Sequence, residues 1–242
     1  GIFELMNQNF ELKDLTLENA KVRLFRGRDD SDFNYQFIID AFASNDTSKS
    51  AAKNPLLKLG TIHLKNIEFT YRDEPSVDVT VHLPAFVAEF NKLSLDEPLL
   101  DLKKIILDQP LVNVTTLYDS LPSKKSTATS DEIIHLNTKS FVLLANKFQM
   151  NNGRFVYTRE HTARDTIIFD QNHLDFTNIN FEVEDGKFLM DTITGFIKNL
   201  STHEQSGLDV KKLTAIARIT PTEAELSNLL LQLPRTEVKD NF

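Results

Sequence analysis

The histidines are the first residues to consider for chemistry, because a neutral imidazole can act as a general base or bind zinc. The chain contains six of them, and their spacing gives neither an HExxH motif nor a close pair. They are His63, His82, His135, His161, His173 and His203. His63 falls in the polar phase of a predicted strand, so we expect it at the surface. The histidine pattern predicts no metal site.

The acidic run Asp29-Asp30-Ser31-Asp32 has some of the carboxylates of a calcium loop, but it lacks the glycine and the terminal glutamate. Capping of a following helix is the better interpretation. The chain has no cysteine, which excludes disulfides, thiolate metal sites and cysteine nucleophiles. No GxSxG, Walker or GxGxxG motif occurs. We therefore predict a protein that is not an enzyme and uses no cofactor.

The charge balance argues against two classes of partner. The chain has 35 acidic and 27 basic residues, for a formal net charge of -8. Nucleic acids and anionic membrane surfaces both reward clustered Lys and Arg, so neither is an expected partner. No apolar run approaches the roughly 20 residues of a membrane-spanning helix.

The chain is predicted to be one β module, residues 1–242, cut from a longer protein, because it begins and ends abruptly near predicted strands. Segments 44–54 and 119–131 are rich in Ser, Thr and Lys, which is typical of mobile linkers.

Residues 59–71, LGTIHLKNIEFTY, show the clearest strand pattern. Ile62 and Leu64 alternate with polar residues before Asn66, and the alternation resumes at Phe69. A period of two is typical of a strand with one buried face. The alternation slips by one residue at Asn66, as it would at a bulge or a turn.

The same pattern recurs along the chain, with an Asn or Asp between two alternating runs. These markers are Asn19, Asn66, Asp108, Asn151, Asn178 and Asn228. Most successive markers lie roughly 45 residues apart, a length typical of repeat proteins. Each amphipathic strand pair has an apolar face that it cannot bury alone, so the repeats are predicted to stack into one long sheet.

Other segments complete the predicted element list. A helix is expected at residues 33–42, and Asp185-Gly186 is a hairpin signal because Gly tolerates positive φ. Further strands are predicted at 77–81, 85–95, 192–197 and 213–219, with a helix as the alternative for 85–95. The fold class is therefore mainly β: an elongated, curved antiparallel sheet of the β-taco or repeat type, with an apolar concave face and one or two short helices.

Phenylalanine dominates the aromatic residues, with 18 Phe against 4 Tyr and no Trp. Such residues either pack a closed sandwich core or line an open sheet face that accepts acyl chains. Periodicity leaves both interpretations open. The candidates for an apolar groove are Ile62, Leu64, Phe69, Phe148, Phe155, Phe176 and Phe181.

Several stretches resemble the AsmA-like superfamily, in particular the N-terminal part of TamB-type proteins of Bacteroidetes-like bacteria. They are LTLENAKVRLFR at 15–26, FNYQFIIDAF at 33–42, LKLGTIHLKNIEFTYRD at 57–73, FQMNNGRFVYT at 148–158, FDQNHLDFTNINFEVED at 169–185 and the segment 191–238. The resemblance covers nearly the whole chain. It is a pattern of strands and contains no catalytic motif.

The resemblance implies a periplasmic segment of an envelope protein whose N-terminal helix is anchored in the inner membrane. Its β-taco would carry phospholipid between the membranes or support outer-membrane biogenesis, together with a TamA-like outer-membrane barrel bound by other parts of the protein. Two alternatives stay open: a scaffold or chaperone-like module that binds outer-membrane protein strands, and a closed β-sandwich binding domain.

Overall fold

The computed structural model describes residues 10–36, 57–74, 76–94, 99–117, 135, 137, 141–165 and 169–240. Within these ranges the chain forms twelve strands. They are β1 (Phe10–Glu18), β2 (Lys21–Arg26), β3 (Leu57–Asp73), β4 (Val77–Ser94), β5 (Leu99–Asp108), β6 (Leu111–Thr116), β7 (Val142–Arg159), β8 (His173–Leu189), β9 (Thr192–Glu204), β10 (Asp209–Ile219), β11 (Ala224–Gln232) and β12 (Glu237–Lys239).

All twelve strands belong to one elongated, curved sheet. β1 and β2 lie end to end beside β3, and β5 and β6 lie end to end between β4 and β7. From β7 to β12 each strand pairs with the next along the chain. The predicted mainly β fold with a long curved sheet is confirmed.

The sheet is mixed, and the prediction of a wholly antiparallel sheet is wrong at two places. β1 and β2 run parallel to β3, and β5 and β6 run parallel to β7. Apolar alternation has the same period in both kinds of pairing, so it carries no information on strand direction. The long segments from β2 to β3 and from β6 to β7 are the connections that parallel neighbours need.

Left-handed residues, either within a strand or between two strands that lie end to end, explain the predicted slips of alternation. The left-handed residues at the marker sites are Asn19, Asn66, Gln109, Asn152, Asn178 and Asn228, with φ between 50° and 56°. Asparagine tolerates this conformation because its short polar side chain can bond locally. Four markers were placed correctly, whereas Asp108 and Asn151 each precede the left-handed residue by one position.

The two parallel pairings repeat the same backbone contacts. In the first, the N–H of Asn19 donates to the carbonyl of Lys65 over 2.9 Å, and the N–H of Glu68 donates to the carbonyl of Ala20 over 2.9 Å. The broken strand β1–β2 thus holds β3 on both sides of Asn66.

The broken strand β5–β6 holds β7 in the same way. The N–H of Gln109 donates to the carbonyl of Asn151, and the N–H of Arg154 donates to the carbonyl of Pro110, both over 2.8 Å. Equivalent bonds at the strand ends join Glu74 to Arg26 and Glu160 to Thr116, both 3.0 Å long. The sheet therefore contains two copies of a three-strand repeat: β1–β2, β3 and β4, then β5–β6, β7 and β8.

The hairpin predicted at Asp185-Gly186 is wrong. Asp185 does have a positive φ of 53°, but it lies inside β8, which continues to Leu189. The turn comes afterwards, at Met190, whose φ is 51°. The preference for positive φ that favours Asp-Gly in a turn also suits a slip within a long strand.

Some of the remaining predictions are confirmed, and others concern segments outside the described residues. Segment 85–95 is strand, in β4 up to Ser94, and the strands predicted at 192–197 and 213–219 lie in β9 and β10. The chain turns at Gln36, whose N–H donates to the carbonyl of Phe33 over 2.9 Å. The rest of the predicted helix and the linkers 44–54 and 119–131 lie outside the described residues.

Candidate functional site

Rows of apolar side chains cross the sheet from strand to strand, and three of these rows form the central part of the apolar face. Cross-strand partners point to the same side of a sheet, so each row is read from the register. The upper row is Val22, Phe69, Val81, Val112, Phe155 and Phe176. The middle row is Leu17, Leu64, Phe86, Leu107, Met150, Phe181, Leu200, Leu213, Leu231 and Val238. The lower row is Leu15, Ile62, Ala88, Ile105, Phe148, Val183, Ile197 and Ala215.

All seven groove candidates from the sequence lie in these rows. Phe69, Phe155 and Phe176 are in the upper row, Leu64 and Phe181 in the middle row, and Ile62 and Phe148 in the lower row. Contacts follow from this placement: the rings of Phe148 and Phe181 meet edge to face with centroids 5.8 Å apart. The structure therefore brings together residues that are far apart in sequence.

The left-handed residues keep the rows on one face. A Cβ added to Gly153 would lie 2.6 Å from the Sδ of Met150. Residues three apart in a regular strand point to opposite faces, so this closeness requires the slip at Asn152. The same holds at the second slip in β8, where a Cβ on Gly186 would lie 4.0 Å from the Cγ1 of Val183.

Sequence reasoning missed most of the middle row, although a signal for it exists. In β1, β3, β5 and β7 the middle-row residue lies two positions before the left-handed residue. These residues are Leu17, Leu64, Leu107 and Met150. Aligning the repeats on the left-handed residue, rather than on the nearest Asn or Asp, gives the register between strands.

The apolar face is half-exposed along its length. Of the row residues only Ala88 and Ala215 are buried, at 4% and 0% exposure, and every larger side chain is at least partly accessible. The described strands form one sheet and not the two packed sheets of a closed sandwich, so within the described part of the chain no second layer covers these side chains.

The opposite face of the sheet is polar and carries ion pairs between neighbouring strands. The pairs are Lys21–Glu68, Lys65–Glu18, Lys104–Glu89, Lys147–Glu182, Arg154–Asp175 and Lys198–Glu184, with N–O distances between 2.5 and 3.1 Å. Exposed pairs of this kind each contribute about 0–1 kcal/mol. The ion pairs identify this face as the solvated one, in contrast to the face that carries the apolar rows.

A buried carboxylate ends the upper row at β9. Glu204 pairs with Phe176 in register and is 1% exposed. Burial alone would raise its pKa, but hydrogen bonds from the Ser206 hydroxyl and from the amides of Ser206 and Asp175 outweigh burial and lower the pKa. The charge stays on Glu204, and the apolar row stops at a polar boundary.

An Asp–His pair beside this boundary has part of the geometry of a catalytic triad. The Nδ1 of His173 lies 2.7 Å from the Oδ2 of Asp170, and its Nε2 lies 3.3 Å from the Oγ1 of Thr162. The Thr162 hydroxyl donates to the carbonyl of Arg159 over 2.7 Å, so its proton is directed away from His173. Hydrogen bonds from the Asp165 amide and from His173 lower the pKa of Asp170 to about 2. These contacts join Thr162, which follows β7, to Asp170 and His173 at the start of β8.

A shallow groove of about 570 Å³ lies on the polar face at the second slip. It is lined by Asp185, Thr194, Gly195, Phe196, Thr214, Ile216 and Asn228. Phe196 and Ile216 are exposed there, and the Nζ of Lys198 lies 5.9 Å from the Phe196 ring centroid. The groove is open to solvent.

The described residues hold no group of three or more His, Asp or Glu side chains close enough to bind a metal ion. His63 is half-buried and not fully exposed as expected, because β1 and β4 flank it on both sides. In the same part of the chain, no helix has the length and apolar character to cross a membrane.

Comparison with known proteins adds no relative: no protein-family model matches the chain, and no curated protein sequence matches it.

Proposed function

We propose that the apolar face binds the acyl chains of phospholipids or similar amphiphiles and that the protein conducts phospholipid between two membranes. The observation that carries this proposal is the continuity of the three half-exposed rows. The middle row crosses ten strand positions, a track of about 43 Å at roughly 4.8 Å per strand.

The chemistry of the rows favours an apolar ligand. Their side chains are aliphatic or aromatic and offer no hydrogen-bond partners to a polar one. An exposed apolar surface of this extent is typical of an interaction site and not of a free surface. The upper row ends at the buried Glu204 in β9, whereas the middle row continues to Val238 in β12, so the longest apolar path follows the middle row.

The resemblance to AsmA-like proteins supplies a setting for this activity. In that setting the chain is a periplasmic segment of an envelope protein anchored in the inner membrane, and a TamA-like outer-membrane barrel is reached through parts outside residues 1–242. We propose that in this setting the protein transports phospholipid or supports outer-membrane biogenesis.

Photo-crosslinking tests the acyl-chain contact directly. A benzophenone amino acid replaces Phe155 or Phe176 in the apolar face, and Asn113 or Thr177 on the opposite face of β6 and β8 as matched controls. After irradiation of cells that express the chain, adducts are identified by mass spectrometry. We expect phospholipid adducts several-fold more abundant at the two Phe sites. Equal capture at all four sites would overturn the proposal.

A further inference from the structure

We propose that the outer edge of β1, with the first residue of β2, is the docking site for one antiparallel amphipathic strand that resembles β4. The inference goes beyond the proposed lipid function and does not depend on it. Among the described residues, no strand pairs with the side of β1 that faces away from β3.

The three-strand repeat indicates what fits this edge. β1–β2 and β5–β6 make the same backbone contacts with their parallel neighbours, around Asn66 and Asn152. In the second copy the other side of β5–β6 is occupied by β4, which runs antiparallel and pairs along both segments. The equivalent side of β1 has the same backbone shape, so it accepts a strand in the same orientation.

The hydrogen-bonding groups of the edge point outward. The N–H of Asn19 is directed to β3, so the alternation of an extended strand places the N–H groups of Thr16 and Glu18 on the outer side. Their equivalents in the second copy, Ile106 and Asp108, pair with Val87 and Ala85 of β4.

Asn34 sets one end of the site. Its amide N–H donates to the carbonyl of Phe25 over 2.8 Å, and its side chain bonds the amide of Phe25 and the carbonyl of Arg23. These contacts occupy the part of β2 that corresponds to the stretch of β6 covered by β4. A docking strand therefore pairs with β1 and with Lys21, and its pairing does not extend to Arg23.

Exposure and charge define the chemistry of the occupant. Leu15 and Leu17 are 42% and 44% exposed, whereas their equivalents Ile105 and Leu107, which have a neighbour on each side, are half-buried. Asp14 stands where the second copy has Lys104, which pairs with Glu89 over 2.5 Å. Because the charge is reversed, the occupant carries alternate apolar residues and a Lys or Arg at the position of Glu89.

The probe is a fluorescently labelled peptide of residues 82–94 that carries Glu89→Lys, and this peptide is the ligand in each assay. Thr16→Pro in the whole chain removes an outward N–H while leaving those directed to β3, and Pro is tolerated at such edge positions. We expect anisotropy to show binding that Thr16→Pro weakens at least tenfold, while Thr16→Val, which keeps the N–H, leaves the affinity within twofold.

Circular dichroism shows whether Thr16→Pro impairs folding. If it does, two N-methylated forms of the peptide test the proposal on the unmodified chain. N-methylation at Val87 blocks the bond to the edge, and N-methylation at Ala88 affects the other side of the peptide. We expect only the first to abolish binding. Equal binding of the two N-methylated peptides would overturn the proposal, and so would equal affinity of the peptides with Glu89 and with Lys at that position. The proposal is also overturned if light scattering shows a dimer of the chain that Thr16→Pro dissociates, because the occupant of the edge would then be a second copy. None of these outcomes bears on lipid capture at Phe155 and Phe176.

Discussion

The side-chain amide of Asn66 donates a 2.6 Å hydrogen bond to the side-chain oxygen of Asn19, and both residues have left-handed backbone. The two residues sit side by side in parallel neighbours, so β2 and the second half of β3 change phase together. Without this match, one strand would turn its apolar residues to the other face while its neighbour did not.

Substitutions at Asn66 should separate the backbone requirement from the side-chain bond. Asn66→Val should lower the free energy of unfolding by about 2 kcal/mol or more, because a β-branched residue is strained at positive φ. Asn66→Gly should cost less than Asn66→Val, since glycine adopts this φ freely. Urea denaturation measures both. Equal losses would show that the bond to Asn19, and not the backbone, determines stability.

Two glycines should respond differently to a methyl group. A Cβ on Gly153 would meet the flexible Met150 side chain, whereas a Cβ on Gly60 would meet the backbone carbonyl of Lys13. We expect Gly153→Ala to cost about 1–3 kcal/mol and the loss to shrink in a Met150→Ala background. No neighbouring side-chain truncation should rescue Gly60→Ala. Thermal unfolding of the single and double variants checks this, and an equal loss at Gly153 in both backgrounds would contradict it.

Hydrogen exchange should alternate along β1. The amides of Leu15 and Leu17 face β3 and should be protected, while those of Thr16 and Glu18 face outward and should exchange as fast as unstructured amides. Residue-resolved NMR exchange measures this pattern. Uniform protection along β1 would mean that the edge is already covered. Addition of the docking peptide should slow exchange at the outward amides of Asp14, Thr16 and Glu18 and leave exchange at Leu15 and Leu17 unchanged.

Asp170 should make the stability depend on pH in the acid range. Its folded pKa of about 2 lies below the usual 3.8 of an aspartate side chain, so its contribution is fully present above about pH 4 and is lost as pH falls toward about 2. The difference in melting temperature between wild type and Asp170→Asn should therefore be largest near neutral pH and narrow as pH falls to about 2. A difference that stays constant with pH would contradict this assignment.

The sequence predicts the strands and their slips well because both follow from local rules. Apolar alternation locates the strand at 59–71 and the change of phase at Asn66, which the φ of 52° confirms. At Asp108 and Asn151 the pattern shows that a slip occurs but not which residue takes the left-handed conformation. At these two sites the left-handed residues are Gln109 and Asn152, each one position after the predicted marker.

Strand neighbours were not predictable in the same way. That β3 lies beside β1 in parallel depends on hydrogen bonds such as that from Asn19 to Lys65, which join residues distant in sequence. The alternation of Phe155 and Phe176 shows that each lies on an apolar face. Only the register shows that they are direct partners in one row.

The repeated contact around Asn66 and Asn152 makes the sheet modular in width. Each copy contributes three strand positions, or about 14 Å at roughly 4.8 Å per strand, and begins and ends with the rows at the same height. Copies can therefore be joined side by side without a change in the position of the rows. Beside the strands β9 to β12, which belong to neither copy, the width of the apolar surface is set by the number of copies. Gain or loss of one copy therefore changes this width by one fixed amount and leaves the arrangement of the rows unaltered.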